Sequence, residues 1–257
     1  MAPTPFGRML REWRGRRGLS QLALAAQAET TPRHVSFIET GRSRPGRDLI
    51  LRLAEAMDVP IRARNALLEA AGLGRAYEER ELDADDVQPF VEAVDLVLRN
   101  HEPFPGCAID GLGCVRRTNA AFERFWPGAK GLTPEQAIDA FFGPGPGRDV
   151  VENWAELAWR YIDIRRSEAN RSGDPRLLAL AERAEAHLED VPRPTTREAA
   201  PIVCPRFRFG DTLVRTFSTV MRFEHPNDVT LGELKVELIF PADETAAQYF
   251  RQLAAHA

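Results

Sequence analysis

Residues 18–45 constrain the fold of this chain most strongly, because they predict two short helices separated by a tight break. Ser20 can cap the first helix, whose apolar residues recur at helical spacing. Residues 28–30 form the break, after which Thr31 can act as the N-cap and Pro32 as the first residue of the second helix. A helix that starts in this way can enter the major groove of DNA with its first turn.

Apolar patterns on both sides of this pair predict three more helices, so that five helices make a compact bundle. In the second helix of the pair, Val35 and Ile38 point inward and Gly41 supplies the stop. One amphipathic helix precedes the pair, another follows Gly46, and a fifth is predicted over residues 61–71. The apolar stripes of the first and fourth helices are Phe6, Met9, Leu10 and Trp13, and Leu49, Leu53 and Met57.

The stretches 18–25 and 35–41 resemble the XRE-type, lambda-repressor-like helix-turn-helix. The run TPRHVSFIETGRSRP at 31–45, with the residues that follow it, is similar to a narrower group, the MmyB/MltR-like bacterial regulators. The resemblance covers roughly residues 6–75. It implies a sequence-specific DNA-binding transcription regulator.

By position, the resemblance also implies roles for single residues. Gln21 would hold a phosphate, and Arg14 and Glu39 match an ion pair that ties the first helix to the recognition helix. Glu29 stands where the family usually has glycine. The residues expected to face base edges are Thr31, Pro32, Arg33 and Phe37, with Ser36 beside them on the outward face. Those expected to approach the DNA backbone are Arg42, Arg44 and Arg47.

The chemistry of two of these side chains fits base recognition. Arg33 can donate two hydrogen bonds to guanine, which is worth about 1–3 kcal/mol of discrimination between bases. Phe37 offers only apolar contact, for example to a thymine methyl group. The alternative is that both are solvated surface residues of a helical bundle. A buried ion pair between Arg14 and Glu39 would be an architectural feature in either case.

The distribution of charge favours DNA binding by the N-terminal part alone. The chain has a net charge of −4, yet residues 1–74 hold twelve arginines and no lysine against seven acidic residues, a net of +5, which leaves −9 for the remainder. A basic N-terminal part joined to an acidic remainder confines the electrostatic attraction for DNA to one domain.

Composition and length allow two domains. The sequence predicts a helix-turn-helix domain over residues 1–74, a charged linker over 75–86 and a second domain over 87–257. No apolar N-terminal segment or membrane-spanning stretch is apparent, and the three cysteines lack metal-site spacing. We therefore expect a cytoplasmic protein without a metal or cofactor.

In the second domain a helix over residues 87–98 precedes a hairpin around Gly111 and Gly113, and Thr118 or Asn119 then caps an aromatic-rich helix. The run HEPFPGCAIDGLGCVRRTNAAF at 101–122 is similar to the start of the ligand-binding domain of MmyB/MltR-like regulators. This implies a PAS-like fold, an antiparallel five-stranded sheet with helices.

Further along, two helices and three strands are predicted. The first helix, over residues 148–172, has an apolar stripe of Val150, Trp154, Leu157, Tyr161 and Ile164, and the second has one of Leu177, Ala181, Ala184 and Leu188. These stripes either pack the two helices together within the domain or form a dimer interface. Strands over residues 206–209, 213–223 and 233–240 precede a helix capped by Asp243. In the last strand Leu234, Val236 and Leu238 should be buried, and Glu233, Lys235 and Glu237 should face water.

No catalytic motif is present, so we predict that the chain is not an enzyme. The expected function is a regulator that binds a palindromic operator as a homodimer and senses a small apolar, fatty-acid-like effector. The side chains expected to line the effector pocket, if they are not plain core, are Phe122, Trp126, Phe141, Trp154, Phe217 and Phe240. Two alternatives stay open, a C-terminal dimerisation or protein-docking module without ligand and an unrecognised enzyme domain.

Overall fold

The computed structural model describes residues 2–194, 204–224 and 226–255. They form two compact units, and the main division falls between Glu79 and Arg80. The first unit is the predicted five-helix bundle. Its helices are α1 (Pro5–Arg16), α2 (Gln21–Gln27), α3 (Pro32–Glu39), α4 (Arg47–Ala56) and α5 (Ile61–Ala70).

Side-chain caps determine where the first three helices begin. The hydroxyl oxygens of Thr4, Ser20 and Thr31 each accept a hydrogen bond from the backbone N–H three residues later, at 3.0, 3.0 and 3.1 Å. These bonds satisfy N–H groups that have no partner inside the helix. The predicted caps of α2 and α3 are therefore confirmed.

The bundle packs its helices tightly around one apolar core, which includes Leu10, Ile38 and Leu53. Helix α1 approaches α3 so closely at Gly7 that a methyl group there would lie 2.6 Å from the carbonyl oxygen of Ile38. Only glycine permits this approach. Past the last helix, the Asn65 side chain hydrogen-bonds the backbone of Ala76 and Tyr77, so these residues are fastened to the bundle.

The second unit is built on an antiparallel five-stranded sheet in the order β2-β1-β5-β4-β3. This confirms the predicted five-stranded sheet with helices and is consistent with a PAS-like fold. The strands are β1 (Gly106–Ile109), β2 (Val115–Thr118), β3 (Arg206–Phe209), β4 (Thr212–Met221) and β5 (Lys235–Pro241). The helices are α6 (Gln88–Asn100), α7 (Ala120–Phe125), α8 (Pro134–Phe142), α9 (Pro146–Asp149), α10 (Trp154–Ser172), α11 (Pro175–Ala186), α12 (Val229–Glu233) and α13 (Glu244–Ala255).

Helices cover both faces of the sheet. On one face Phe207 and Val214 belong to a large core shared with α7, α8, α10, α11 and α13. On the other, Val94 and Leu98 of α6 pack against Ala108 and Val236. The sheet as a whole therefore packs apolar side chains against helices on both of its faces.

Two sequence predictions for this unit are wrong in detail. The buried stripe of α10 is Trp154, Ala158, Ile162, Arg165 and Ala169, whereas Ile164 is 44% exposed. The real stripe contains alanines and an arginine, which a search for large apolar residues overlooks. Lys235 does not face water, because its side chain is only 13% exposed and lies 2.7 Å from Glu168.

Candidate DNA-binding surface and effector site

The turn between α2 and α3 contains an unusual backbone conformation. Glu29 has a φ of +51°, in the left-handed region that glycine adopts with least strain. The following N–H, of Thr30, donates to the carbonyl of Ala25 at 2.9 Å and closes the turn. The residue that departs from the glycine usual in the family thus takes the conformation that a glycine would supply.

Helix α3 is anchored by its apolar side and presents the opposite side to solvent. Val35 and Ile38 are fully buried in the bundle. Thr31, Pro32 and Arg33, which form the start of the helix, are exposed. This leaves the first turn of α3 free to approach DNA, as a recognition helix requires.

A network around Glu39 fixes the last turn of α3. The Glu39 carboxylate accepts hydrogen bonds from Nε of Arg14 at 2.6 Å and from Nη2 at 3.0 Å. The same carboxylate accepts a third bond, from the amide of Gln21 at 2.8 Å. The Glu39 side chain is 4% exposed, and its partner Arg14 has a raised pKa because of this hydrogen bond. Gln21, predicted to hold a phosphate, thus also ties α2 to α3.

Phe37 lies between two arginines on the outward side of α3. The guanidinium carbon of Arg33 is 5.1 Å from the centre of the ring, and that of Arg42 is 5.8 Å away. Both distances are within the range of a cation–π interaction. The ring therefore holds two exposed cations next to Ser36, which is half-buried.

Arg44 and Arg47, the other arginines predicted to approach the DNA backbone, differ in whether they hydrogen-bond within the bundle. Arg44 is exposed. The Arg47 guanidinium donates to the carbonyls of Gly74 and Arg75, at 3.2 and 2.6 Å. It would have to share or exchange these bonds to reach a phosphate.

One residue of α3 that the sequence did not single out joins the helix to its flanks. The two ring nitrogens of His34 lie 3.2 Å from the Thr30 hydroxyl and 3.3 Å from the Ser43 hydroxyl. His34 therefore connects the turn before α3 with the loop after it. Its spacing from Thr30, four residues, is the pattern from which this contact could have been predicted.

The six aromatic residues predicted to line an effector pocket lie in two places. Trp154 belongs to the large core, Trp126 and Phe141 pack against that core, and Phe122 is also buried. Phe217 and Phe240 are register partners on β4 and β5 and stack with a centroid distance of 5.3 Å. That these residues line one effector pocket stays a prediction.

A small apolar groove lies between α6 and the neighbouring ends of β4 and β5. Its volume is about 110 Å³. Its lining is apolar except for one arginine, and it consists of Ala93, Val94, Val97, Met221, Arg222, Phe223, Leu234 and Val236. Apolar surface with one polar group is the usual composition of a small-molecule site.

The first unit is thus a helix-turn-helix domain, with a capped recognition helix whose first turn is free. The sequence matches a helix-turn-helix domain family over residues 5–67. It matches the family described as the MmyB-like transcription regulator ligand binding domain over residues 91–253, more than half of the chain. The chain therefore belongs to the MmyB-like transcription regulators, which confirms the resemblance and gives a DNA-binding regulator with a ligand-binding domain.

A search of curated proteins found no match. Within the described part of the chain, no helix has both the length and the apolar composition that a membrane crossing requires. In the same residues no three His, Cys, Asp or Glu side chains are grouped so that they could hold a metal ion.

Proposed function

We propose that this protein reads its operator with the first turns of α3. The observation that carries the proposal is the stacking of Arg33 and Arg42 on Phe37, because it directs two cations outward from an otherwise anchored helix. In this proposal Thr31, Pro32, Arg33, Ser36 and Phe37 face the bases. Gln21, Arg42, Arg44 and Arg47 approach the DNA backbone.

The test compares two arginines that have different roles in the proposal. Arg33→Ala should relax specificity at one base position and cost about 1–3 kcal/mol there. Arg44→Ala should weaken binding to all sequences alike and reduce the slope of log K against log salt by about one. Arg160→Ala, an exposed arginine of the second unit, is the control. Equal losses of Arg33→Ala on operator and scrambled DNA would contradict the assignment.

The protein acts as a homodimer on a palindromic operator, with half-sites about one helical turn apart. The second unit supports this, since Phe90, Leu96 and Phe217 are 44%, 52% and 37% exposed. A second copy could cover these apolar side chains. Light scattering of the full chain, and binding to operators whose half-site spacing is changed by half a turn, test the proposal. A monomeric protein whose operator affinity does not change with the half-site spacing would contradict it.

In the bacterial cytoplasm, the second domain binds a small apolar, fatty-acid-like effector without transforming it. The groove beside α6 supports such a site, although about 110 Å³ holds only part of an acyl chain unless the groove widens. Effector binding changes DNA affinity only to the extent that the two arrangements of the protein bind the effector differently.

Native mass spectrometry and one pair of variants test the effector site. A retained lipid-sized mass supports sensing, whereas a dimer without added mass favours the alternative, a dimerisation or docking module, which the exposed apolar side chains would also suit. Ala93→Trp should fill the groove and remove the retained mass. Glu92→Trp places the same bulk on the neighbouring exposed position outside the groove lining and should not.

A further inference from the structure

Strand β4 is longer than its outer neighbour β3, so part of one edge of β4 is open. Residues 212–215 pair with β3, and this pairing ends where the N–H of Thr216 donates to the carbonyl of Pro205 at 3.0 Å. Residues 217–221 pair with β5, and within the described part of the chain no strand lies along their other side. All five are exposed. We call residues 217–221 the open edge.

The alternation of hydrogen bonds along β4 shows which backbone groups the open edge presents. Thr216 donates toward β3, whereas the carbonyl of Arg215 accepts from Ala242, which follows β5. Successive residues of a strand point these groups to opposite sides, so Ser218 and Val220 direct their N–H and C=O groups away from β5. Two donors and two acceptors are thus placed as the next strand of a sheet would need them.

The open edge lacks the features that usually keep an exposed edge strand from pairing. Edge strands in natural proteins carry charged side chains, proline or bulges that prevent association. The outer strands β2 and β3 follow this rule, since each has two arginines among its four residues. The open edge, with the sequence FSTVM, has no charge and no proline, and its pairing with β5 is continuous. It is therefore suited to pairing with another strand.

A second copy of the same edge is complementary to these groups. When two open edges run antiparallel with Thr219 opposite the same residue of the second copy, Ser218 of each chain lies opposite Val220 of the other. Each such pair exchanges two hydrogen bonds, so all the outward groups are used. This register also places Phe217 opposite Met221, which are 37% and 43% exposed. Because the open edge is uncharged, no like charges face each other across the two-fold axis.

We propose that two copies of this chain dimerise by pairing their open edges, so that the five-stranded sheets of both copies become one continuous sheet. The inference rests on the proposed homodimer and adds its interface, its backbone hydrogen bonds and its register. Main-chain hydrogen bonds supply affinity in strand addition, and the side chains beside them supply specificity.

Opposite charges at Thr219 test the register. Thr219→Lys and Thr219→Glu each place two like charges opposite each other, whereas an equal mixture of the two variants pairs a lysine with a glutamate. In analytical ultracentrifugation of the full chain, each variant should dissociate more readily than the wild type, and the mixed dimer should be about tenfold tighter than either variant alone. Thr245→Lys and Thr245→Glu, at an exposed position of α13, are the matched controls and should leave the dimer unchanged.

Amide hydrogen exchange tests the backbone bonds. The amides of Ser218 and Val220 should exchange at least about tenfold more slowly at concentrations where the dimer forms than after dilution to the monomer. The amide of Thr219 points toward β5 and should be protected in both states.

The outcomes separate this inference from the proposed homodimer. If the wild type is a monomer at all concentrations, the homodimer fails and the inference fails with it. If the wild type dimerises but both Thr219 variants dimerise equally well, or the amides of Ser218 and Val220 exchange equally in both states, the homodimer stands and the open-edge interface is overturned. Protection of these two amides in the monomer would mean that another part of the same chain covers the edge, which also overturns the interface.

Discussion

The carboxylate of Glu39 receives two hydrogen bonds from the guanidinium of Arg14, although the residues lie 25 positions apart in the chain. A two-point contact between planar groups fixes orientation as well as distance. Since Arg14 is on α1 and Glu39 ends α3, the pair fixes the orientation of α3, the recognition helix, relative to α1.

Breaking this pair from one side should destabilise the bundle. Glu39→Gln leaves the Arg14 guanidinium without its anion in a largely buried position, and we expect a loss of about 2–3 kcal/mol. Hydrogen exchange of the α1 and α3 amides in the full chain measures the local opening free energy. The double variant Arg14→Met, Glu39→Leu should recover most of the loss, because no charge is then left unpaired. A double variant as unstable as Glu39→Gln would contradict this account.

Glycine should stabilise the turn at Glu29. Because Glu29 has a φ of +51°, Glu29→Gly should raise the stability of the bundle by about 0.5–1 kcal/mol. The matched control is Glu12→Gly in the middle of α1, also exposed, which should lower stability by about 1 kcal/mol. Thermal unfolding followed by hydrogen exchange in the first unit measures both. If both variants changed the stability of the bundle in the same direction, backbone strain at Glu29 would be refuted.

Asn119 should be needed for more than its helix cap. Its Oδ1 accepts from the N–H groups of Phe122 and Gly106, at 2.9 and 3.0 Å, and its Nδ2 donates to the carbonyls of Leu98 and Phe104, at 3.1 and 2.8 Å. Asn119→Asp keeps the cap but loses both donors and turns an oxygen toward two carbonyls. We expect it to cost at least about 2 kcal/mol.

Urea denaturation of the second unit, followed by hydrogen exchange of α7 and β1, measures this cost. If the cap alone mattered, Asn119→Asp would be nearly neutral, since aspartate is as good an N-cap as asparagine. Asn100→Asp, at an exposed position, gives the background effect of the same substitution.

The cysteines should differ in reactivity. Burial raises the pKa of Cys107 well above its ordinary value, and the charge of Glu237 adds to this. Only the thiolate is alkylated, so at pH 8 Cys107 should react with iodoacetamide far more slowly than the half-buried Cys204. Peptide mass spectrometry of the native and the denatured protein measures this. Equal alkylation in the native state would show that β1 opens readily.

Local features of the fold were predictable from the sequence and distant contacts were not. Ser20, Thr31 and Asn119 cap the helices that follow them because a cap bonds within three residues. Helix α8 is not among the predicted helices, although Thr133 and Gln136 have the spacing of the reciprocal capping box that they form. The contact between Glu168 and Lys235 could not be predicted, since the two residues are 67 positions apart and only the tertiary fold brings them together.

Because Arg33 and Arg42 stack on Phe37, part of the DNA-binding surface is ordered before DNA binds. An arginine side chain loses up to about 2 kcal/mol of rotamer entropy when it is immobilised. Because Arg33 and Arg42 already rest on the ring in the free protein, part of that loss occurs during folding and not during association. A surface ordered in advance adapts little to its target. Discrimination among operators should therefore depend on how well each DNA shape fits a fixed pair of cations.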